Sequence, residues 1–83
     1  MTAQEALAWV ADIFEEPAAK LNPETPRSDI PAWDSLGVLT LMARLDEEFQ
    51  ILLAEGELQA LRTVGDILDL LRRHDRLNGA AAA

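Results

Sequence analysis

The stretch that decides the fold is residues 33–49, which read WDSLGVLTLMARLDEEF. Asp34 and Ser35 carry short side-chain oxygens that can accept from the free amides at a helix start, so we expect a helix to begin there. Apolar residues then recur at three- and four-residue spacing, which is typical of one buried helical face. The predicted inward-facing set is Val38, Leu41, Met42, Leu45 and Phe49.

A first helix is predicted over residues 3–15. Thr2 and Glu5 form a capping-box pattern, in which each side chain accepts from the other residue's amide. Pro17 is expected to stop the helix, because proline has no N–H and restricts the residue before it. The apolar stripe of this helix consists of Leu7, Trp9, Val10, Ile13 and Phe14.

Residues 16–33 show no sustained periodicity and contain all four prolines, so we expect a long loop between the first two helices. A loop of this length in so short a domain is more often functional than idle. Leu21, Ile30 and Trp33 are apolar enough to anchor it against the core.

Two further helices are predicted after residue 53. Gly56 is interpreted as a break, followed by a short helix over residues 57–61. Thr63 and Asp66 form a second capping signal, and the helix that starts there is expected to end at residues 78–79 (Asn-Gly). The predicted fold is therefore all-α: a small four-helix bundle of three long helices and one short one. Residues 1–77 are expected to form its single domain, and residues 78–83 a flexible tail or an expression remnant.

The composition of the chain argues against several classes of function. Fifteen acidic residues against seven Lys and Arg give a net charge of -8, which disfavours binding to nucleic acid or to anionic membrane surfaces. The absence of cysteine excludes a disulfide framework and cysteine metal sites. The N-terminal residues lack the basic region of a signal peptide, so a cytoplasmic location is expected.

Catalysis by the chain itself is not expected. His74 is the single histidine, and its basic surroundings indicate a helix end rather than a general base. Asp46, Glu47 and Glu48 are consecutive, so they point to different sides of a helix and do not converge on a metal. We predict neither an enzyme nor a metal site.

The segment from Trp33 to Phe49 resembles the acyl carrier proteins, which share Asp-Ser-Leu at the start of the second helix and then an apolar stripe ending in Leu-x-x-x-Phe. The likeness runs from about residue 3 to residue 75. It implies that Ser35 receives 4′-phosphopantetheine from coenzyme A through a separate magnesium-using transferase. Asp34 would help the metal and the transferase engage, and Leu36 would pack behind the serine and be read by partners.

The resemblance also implies a monomeric carrier that performs no chemistry. Its prosthetic thiol would hold an acyl group as a thioester and present it to partner enzymes. The expected partners are a phosphopantetheinyl transferase, acyl- or aminoacyl-loading ligases or transferases, and synthases.

One departure concerns the exposed side of the second helix, which is densely acidic in fatty-acid carriers. Here Gly37, Thr40, Arg44 and Glu47 are predicted to form a less acidic partner-binding strip beside the arm, which favours a specialised pathway over bulk fatty-acid synthesis. Arg44 would either help to select partners or merely pair with Glu47 or Glu48 one turn on.

Two alternatives stay open at this point. One is an aminoacyl or peptidyl carrier with the same fold. The other is a helical interaction module that lacks the prosthetic group. The intact Asp34-Ser35-Leu36 favours a modified carrier over the interaction module, because a non-carrier has no reason to keep that serine exposed.

Overall fold

The structure is a computed structural model that describes residues 1–76. No β-strand occurs in this range, where a single isolated bridge joins Pro26 and Thr63. The predicted all-α bundle of three long helices and one short one is confirmed. The α-helices are α1 (Ala3–Phe14), α2 (Ser35–Phe49), α3 (Glu55–Gln59) and α4 (Val64–Arg73), and two 3-10 turns lie at Ala18–Lys20 and Arg27–Asp29.

Two helix starts follow directly from the predicted caps. At α1, Thr2 Oγ1 accepts from the Glu5 amide at 3.1 Å, and Glu5 Oε1 accepts from the Thr2 amide at 2.8 Å. At α4, Thr63 Oγ1 accepts from the Asp66 amide at 3.2 Å, and Asp66 Oδ2 accepts from the Thr63 amide at 3.1 Å. Both capping boxes satisfy amides that have no partner inside the helix.

The helix ends differ from the sequence-based expectations. Glu15 adopts a left-handed conformation (φ 55°) and ends α1 two residues before Pro17. Helix α4 ends at Arg73 with the exposed His74 as its C-cap, so the predicted end at residues 78–79 is wrong. Those residues, the domain boundary at residue 77 and the tail at 78–83 lie outside the described residues.

The short helix is also displaced from its predicted position. It begins at Glu55 rather than residue 57 and includes Gly56, so the predicted break at Gly56 is wrong. Glu57 Oε1 accepts from the Ala54 amide at 3.2 Å, which stabilises this earlier start. The helix begins where that local hydrogen bond forms, and the glycine is tolerated in its exposed first turn.

On α2 the buried stripe is centred on Leu41 and Leu45, which are completely buried. Val38 and Phe49 pack at its edge and are partly buried, whereas Met42 is 36% exposed, so its predicted inward position is wrong. Successive helical residues are about 100° apart, so a stripe centred on Leu41 and Leu45 leaves Met42 at the margin.

The long loop is held in place by contacts with α1 and with the start of α4. Trp33 is 4% exposed and stacks on Phe14 with ring centroids 5.0 Å apart, which confirms its predicted anchoring role. Backbone hydrogen bonds also join the loop to the start of α4 and the residues just before it: the Arg27 amide donates to the Arg62 carbonyl at 2.7 Å, and the Val64 amide donates to the Thr25 carbonyl at 3.0 Å. Together these contacts place the start of α2.

Within residues 1–76, no helix has the length and apolar character needed to cross a bilayer.

Candidate functional site

Ser35 is the first residue of α2 and is exposed. Asp34, not Ser35, caps the helix, because Asp34 Oδ1 accepts from the Gly37 amide at 3.0 Å. Within the described residues the Ser35 hydroxyl makes no hydrogen bond. The serine is therefore presented at the helix start without being used to form it.

The side of α2 around Ser35 is apolar and open. Leu36 is 73% exposed, Leu39 60% and Met42 36%. We call these three residues the α2 apolar face. Leu36 does not pack behind the serine, so that expectation is wrong. Its exposure leaves it available for contact with another molecule.

A groove of about 530 Å³ opens between α2 and α3 beside Ser35. Its walls are mainly apolar, and its charged lining residues are Arg27 and Glu55. The lining residues are Arg27, Ser35, Val38, Leu39, Met42, Glu55, Leu58 and Gln59. A group lying in this groove beside Ser35 would therefore contact mainly apolar side chains.

The predicted partner strip is not a single exposed surface. Gly37 is buried, so its predicted exposure is wrong. Thr40 is half-buried and donates its hydroxyl to the Leu36 carbonyl at 3.1 Å, and Glu47 is exposed. Gly37 lies within the angular range covered by α1, because it is one turn before Leu41 on the same side of the helix.

Arg44 joins α2 to α1. Its Nη1 pairs with Asp12 Oδ2 at 3.0 Å, its Nε pairs with Glu48, and its guanidinium lies 5.7 Å from the Trp9 ring centroid. Trp9 Nε1 also donates to Glu48 at 3.1 Å. The predicted pairing with Glu48 is confirmed, and the side chain is engaged between helices rather than directed into solvent.

This pairing has a consequence at acidic pH. Hydrogen bonds from Arg44 and then from Trp9 lower the pKa of Glu48 below its ordinary 4.5. Because the folded state lowers this pKa, the stabilisation is present above pH 4.5 and is lost as pH falls through the folded value.

Arg44→Gln is expected to lower the free energy of unfolding at neutral pH by about 1 kcal/mol, through loss of the ion pairs and the contact with Trp9. Urea denaturation across the acidic range should show the gap to wild type narrowing below pH 4.5. Arg73→Gln, at an exposed arginine of α4, is the matched control. A gap that stays constant with pH would contradict the prediction.

Sequence reasoning missed Arg27, Leu39 and Met42 as residues at the site. Arg27 lies among loop prolines, where no periodicity signals its direction. Spacing places Met42 in the predicted inward-facing set, and that set does not include Leu39. Their common location along the groove depends on where α3 packs.

Comparisons with known proteins agree with this geometry. The family model for the phosphopantetheine attachment site matches residues 5–71. The chain is similar to the meromycolate extension acyl carrier protein of Mycolicibacterium aurum, with 29% identity over 96% of this chain and 87% of that protein. It is also similar to an acyl carrier protein of Acidothermus cellulolyticus, with 28% identity over 86% of this chain and 89% of that protein.

A solved structure gives the same assignment. The solution structure of the holo acyl carrier protein from Geobacter metallireducens matches with a TM-score of 0.71 and 37% identity, covering 89% of this chain and 86% of that one. The free hydroxyl of Ser35 and the adjoining groove fit a covalently attached arm. The chain therefore belongs to the acyl carrier protein family, with a carrier function and a covalently attached phosphopantetheine group.

Proposed function

We propose that Ser35 is the attachment residue, and that the chain carries acyl groups without catalysing reactions itself. The observation that supports this most directly is the exposed, uncommitted hydroxyl of Ser35 at a helix start capped by its neighbour Asp34. The attached arm supplies a thiol that holds the acyl group as a thioester. The protein presents this group to enzymes that bind its surface.

Attachment is a phosphoryl-group transfer from coenzyme A. Ser35 Oγ forms a bond to the β-phosphorus, the phosphoanhydride bond breaks, and adenosine 3′,5′-bisphosphate leaves. The hydroxyl proton passes to a base of the transferase. Incubation with coenzyme A, magnesium and a broad-range phosphopantetheinyl transferase should add one phosphopantetheinyl group, detected by intact mass.

Asp34 has two proposed roles in the attachment of the phosphopantetheinyl group to Ser35. Its Oδ1 holds the Gly37 amide and so keeps the helix start in place. Its Oδ2 accepts no hydrogen bond within the described residues, so it remains available to the magnesium ion or to a donor on the transferase.

A specialised acyl pathway fits this chain better than bulk fatty-acid synthesis. From Ser35 to Ala43 the second helix contains no acidic residue, and its exposed side carries the α2 apolar face. The relative named for meromycolate extension supports the same interpretation. We also propose that the protein is cytoplasmic and monomeric, as expected from the sequence.

The α2 apolar face is the proposed docking surface for the transferase, the loading ligase or acyltransferase, and the synthase enzymes. An enzyme that forms a bond at Ser35 must approach it closely, so it covers Leu36 and Leu39 in the complex. Partners with apolar residues around their active-site entrance would gain most from this contact. Such a contact depends less on salt than recognition by surface charges.

Leu36→Ala is expected to lower kcat/KM for loading by the transferase about tenfold, which corresponds to about 1.4 kcal/mol of lost contact. The control is Leu52→Ala, because Leu52 is similarly exposed (77%, against 73% for Leu36) but follows the opposite end of α2. Neither change should alter stability by more than about 0.5 kcal/mol. Equal loading rates for the two variants would contradict docking through the α2 apolar face.

A further inference from the structure

Arg27 extends from the 3-10 turn Arg27–Asp29 toward the start of α2. Its Nε donates to the Trp33 carbonyl at 3.2 Å, and its guanidinium lies 5.8 Å from the centroid of the Trp33 ring. Trp33 precedes Ser35 by two residues, and Arg27 and Ser35 line the same groove. The contacts with Trp33 therefore hold the guanidinium close to the attachment residue.

The two terminal nitrogens of Arg27 have no hydrogen bond or ion pair within residues 1–76. The other charged residue of the groove is Glu55, whose Oε1 accepts from Gln59 Nε2 at 3.4 Å. Asp29 and Asp34 add negative charge nearby in sequence, in a chain of net charge -8. Arg27 is thus a positive group with unused donors in acidic surroundings.

We infer that Arg27 binds the phosphodiester of the arm attached at Ser35; this inference rests on the proposed function. Once Ser35 Oγ is bonded to phosphorus, the two non-bridging oxygens carry one negative charge at the groove that Arg27 lines. A planar guanidinium with two free nitrogens suits such oxygens better than an ammonium group does. Binding there would direct the start of the arm along the groove toward Leu39 and Met42.

The competing explanation is structural. Arg27 would then only hold the Trp33 carbonyl and the loop, and its loss would destabilise the apo and holo forms equally. The two explanations predict different effects of the substitution on the free energy of unfolding of the holo form relative to the apo form. This difference between the two forms isolates the contact between the arginine and the arm.

The main experiment measures urea denaturation of apo and holo forms of the wild type, Arg27→Gln and Lys20→Gln. Lys20→Gln removes the same charge from the same loop, at an exposed residue that does not line this groove. In Arg27→Gln, the holo-to-apo ratio of folding equilibrium constants should fall about 2- to 5-fold relative to wild type, the range of an exposed charged contact. Lys20→Gln should leave that ratio unchanged.

A second measurement needs no variant. The Nε–Hε cross-peak of Arg27 in the wild-type protein should shift when the apo form is converted to holo, and the phosphodiester 31P resonance should differ between the wild type and Arg27→Gln. The inference would be overturned if the wild type gains mass but its Arg27 signal does not shift, and the holo-to-apo ratio of folding equilibrium constants is equal in all three proteins. The proposed function would then still stand. No mass gain on the wild type would overturn the proposed function, and this inference with it.

Discussion

Replacement of Ser35 by alanine is expected to abolish covalent loading completely, because alanine has no oxygen on which the phosphodiester can form. The single other serine is Ser28, on the 3-10 turn Arg27–Asp29 rather than at a helix start. Intact mass after incubation with coenzyme A, magnesium and a broad-range transferase measures the result. The wild type should gain one phosphopantetheinyl group and Ser35→Ala none.

The control for this experiment is Ser28→Ala, which should load like the wild type. Ser35→Ala should also remain folded, because Asp34 supplies the cap and the Ser35 hydroxyl makes no hydrogen bond in the described part of the chain. A circular dichroism spectrum of the variant checks this. A mass gain in folded Ser35→Ala would refute the assignment of Ser35.

Gly37→Ala is expected to lower the free energy of unfolding by about 3 kcal/mol or more, a large share of the total for a domain of this size. A Cβ at this position would stand 2.0 Å from the Ala32 carbonyl oxygen and 3.1 Å from Phe14 Cε1. The oxygen belongs to the backbone, so the loop before α2 must move away from the helix. That movement displaces Asp34 and Ser35, so loading should slow as well.

Gly56→Ala is the matched control, because Gly56 also lies in the first turn of a helix but a Cβ there would meet nothing within 4 Å. It should stabilise the protein by about 0.5–1 kcal/mol, since alanine loses less backbone entropy on folding. Urea denaturation of both variants gives the two values. Similar stability for Gly37→Ala and wild type would show that α2 does not pack this closely against residue 32.

Features that depend on neighbours in sequence were predictable. The caps at Thr2, Asp34 and Thr63 use hydrogen bonds that span three residues, so the chain contains everything they need. Trp33 could be assigned to the core because a large apolar ring in a polar loop has little else to pack against. The position of Ser35 at a helix start follows from the same local hydrogen bonding.

The sides of α2 could not be assigned in the same way. Spacing indicates that an apolar stripe exists, but its width and centre depend on which neighbouring helices cover it. Helix α1 covers the side of Gly37 and Arg44, whereas the short α3 leaves Leu39 and Met42 along an open groove. The predicted partner strip was placed wrongly at Gly37 for this reason.

The sequence by itself therefore determined the presence of the helices, the starts of α1, α2 and α4, and the serine presented at α2, because each depends on interactions within about one helical turn. Only the tertiary structure decided what surrounds that serine. Arg27 is eight residues from Ser35 in the chain, and Glu55 is twenty residues away, yet both line its groove. Contacts of this kind arise when separate elements pack together, and no local pattern in the chain encodes which side chains will then meet.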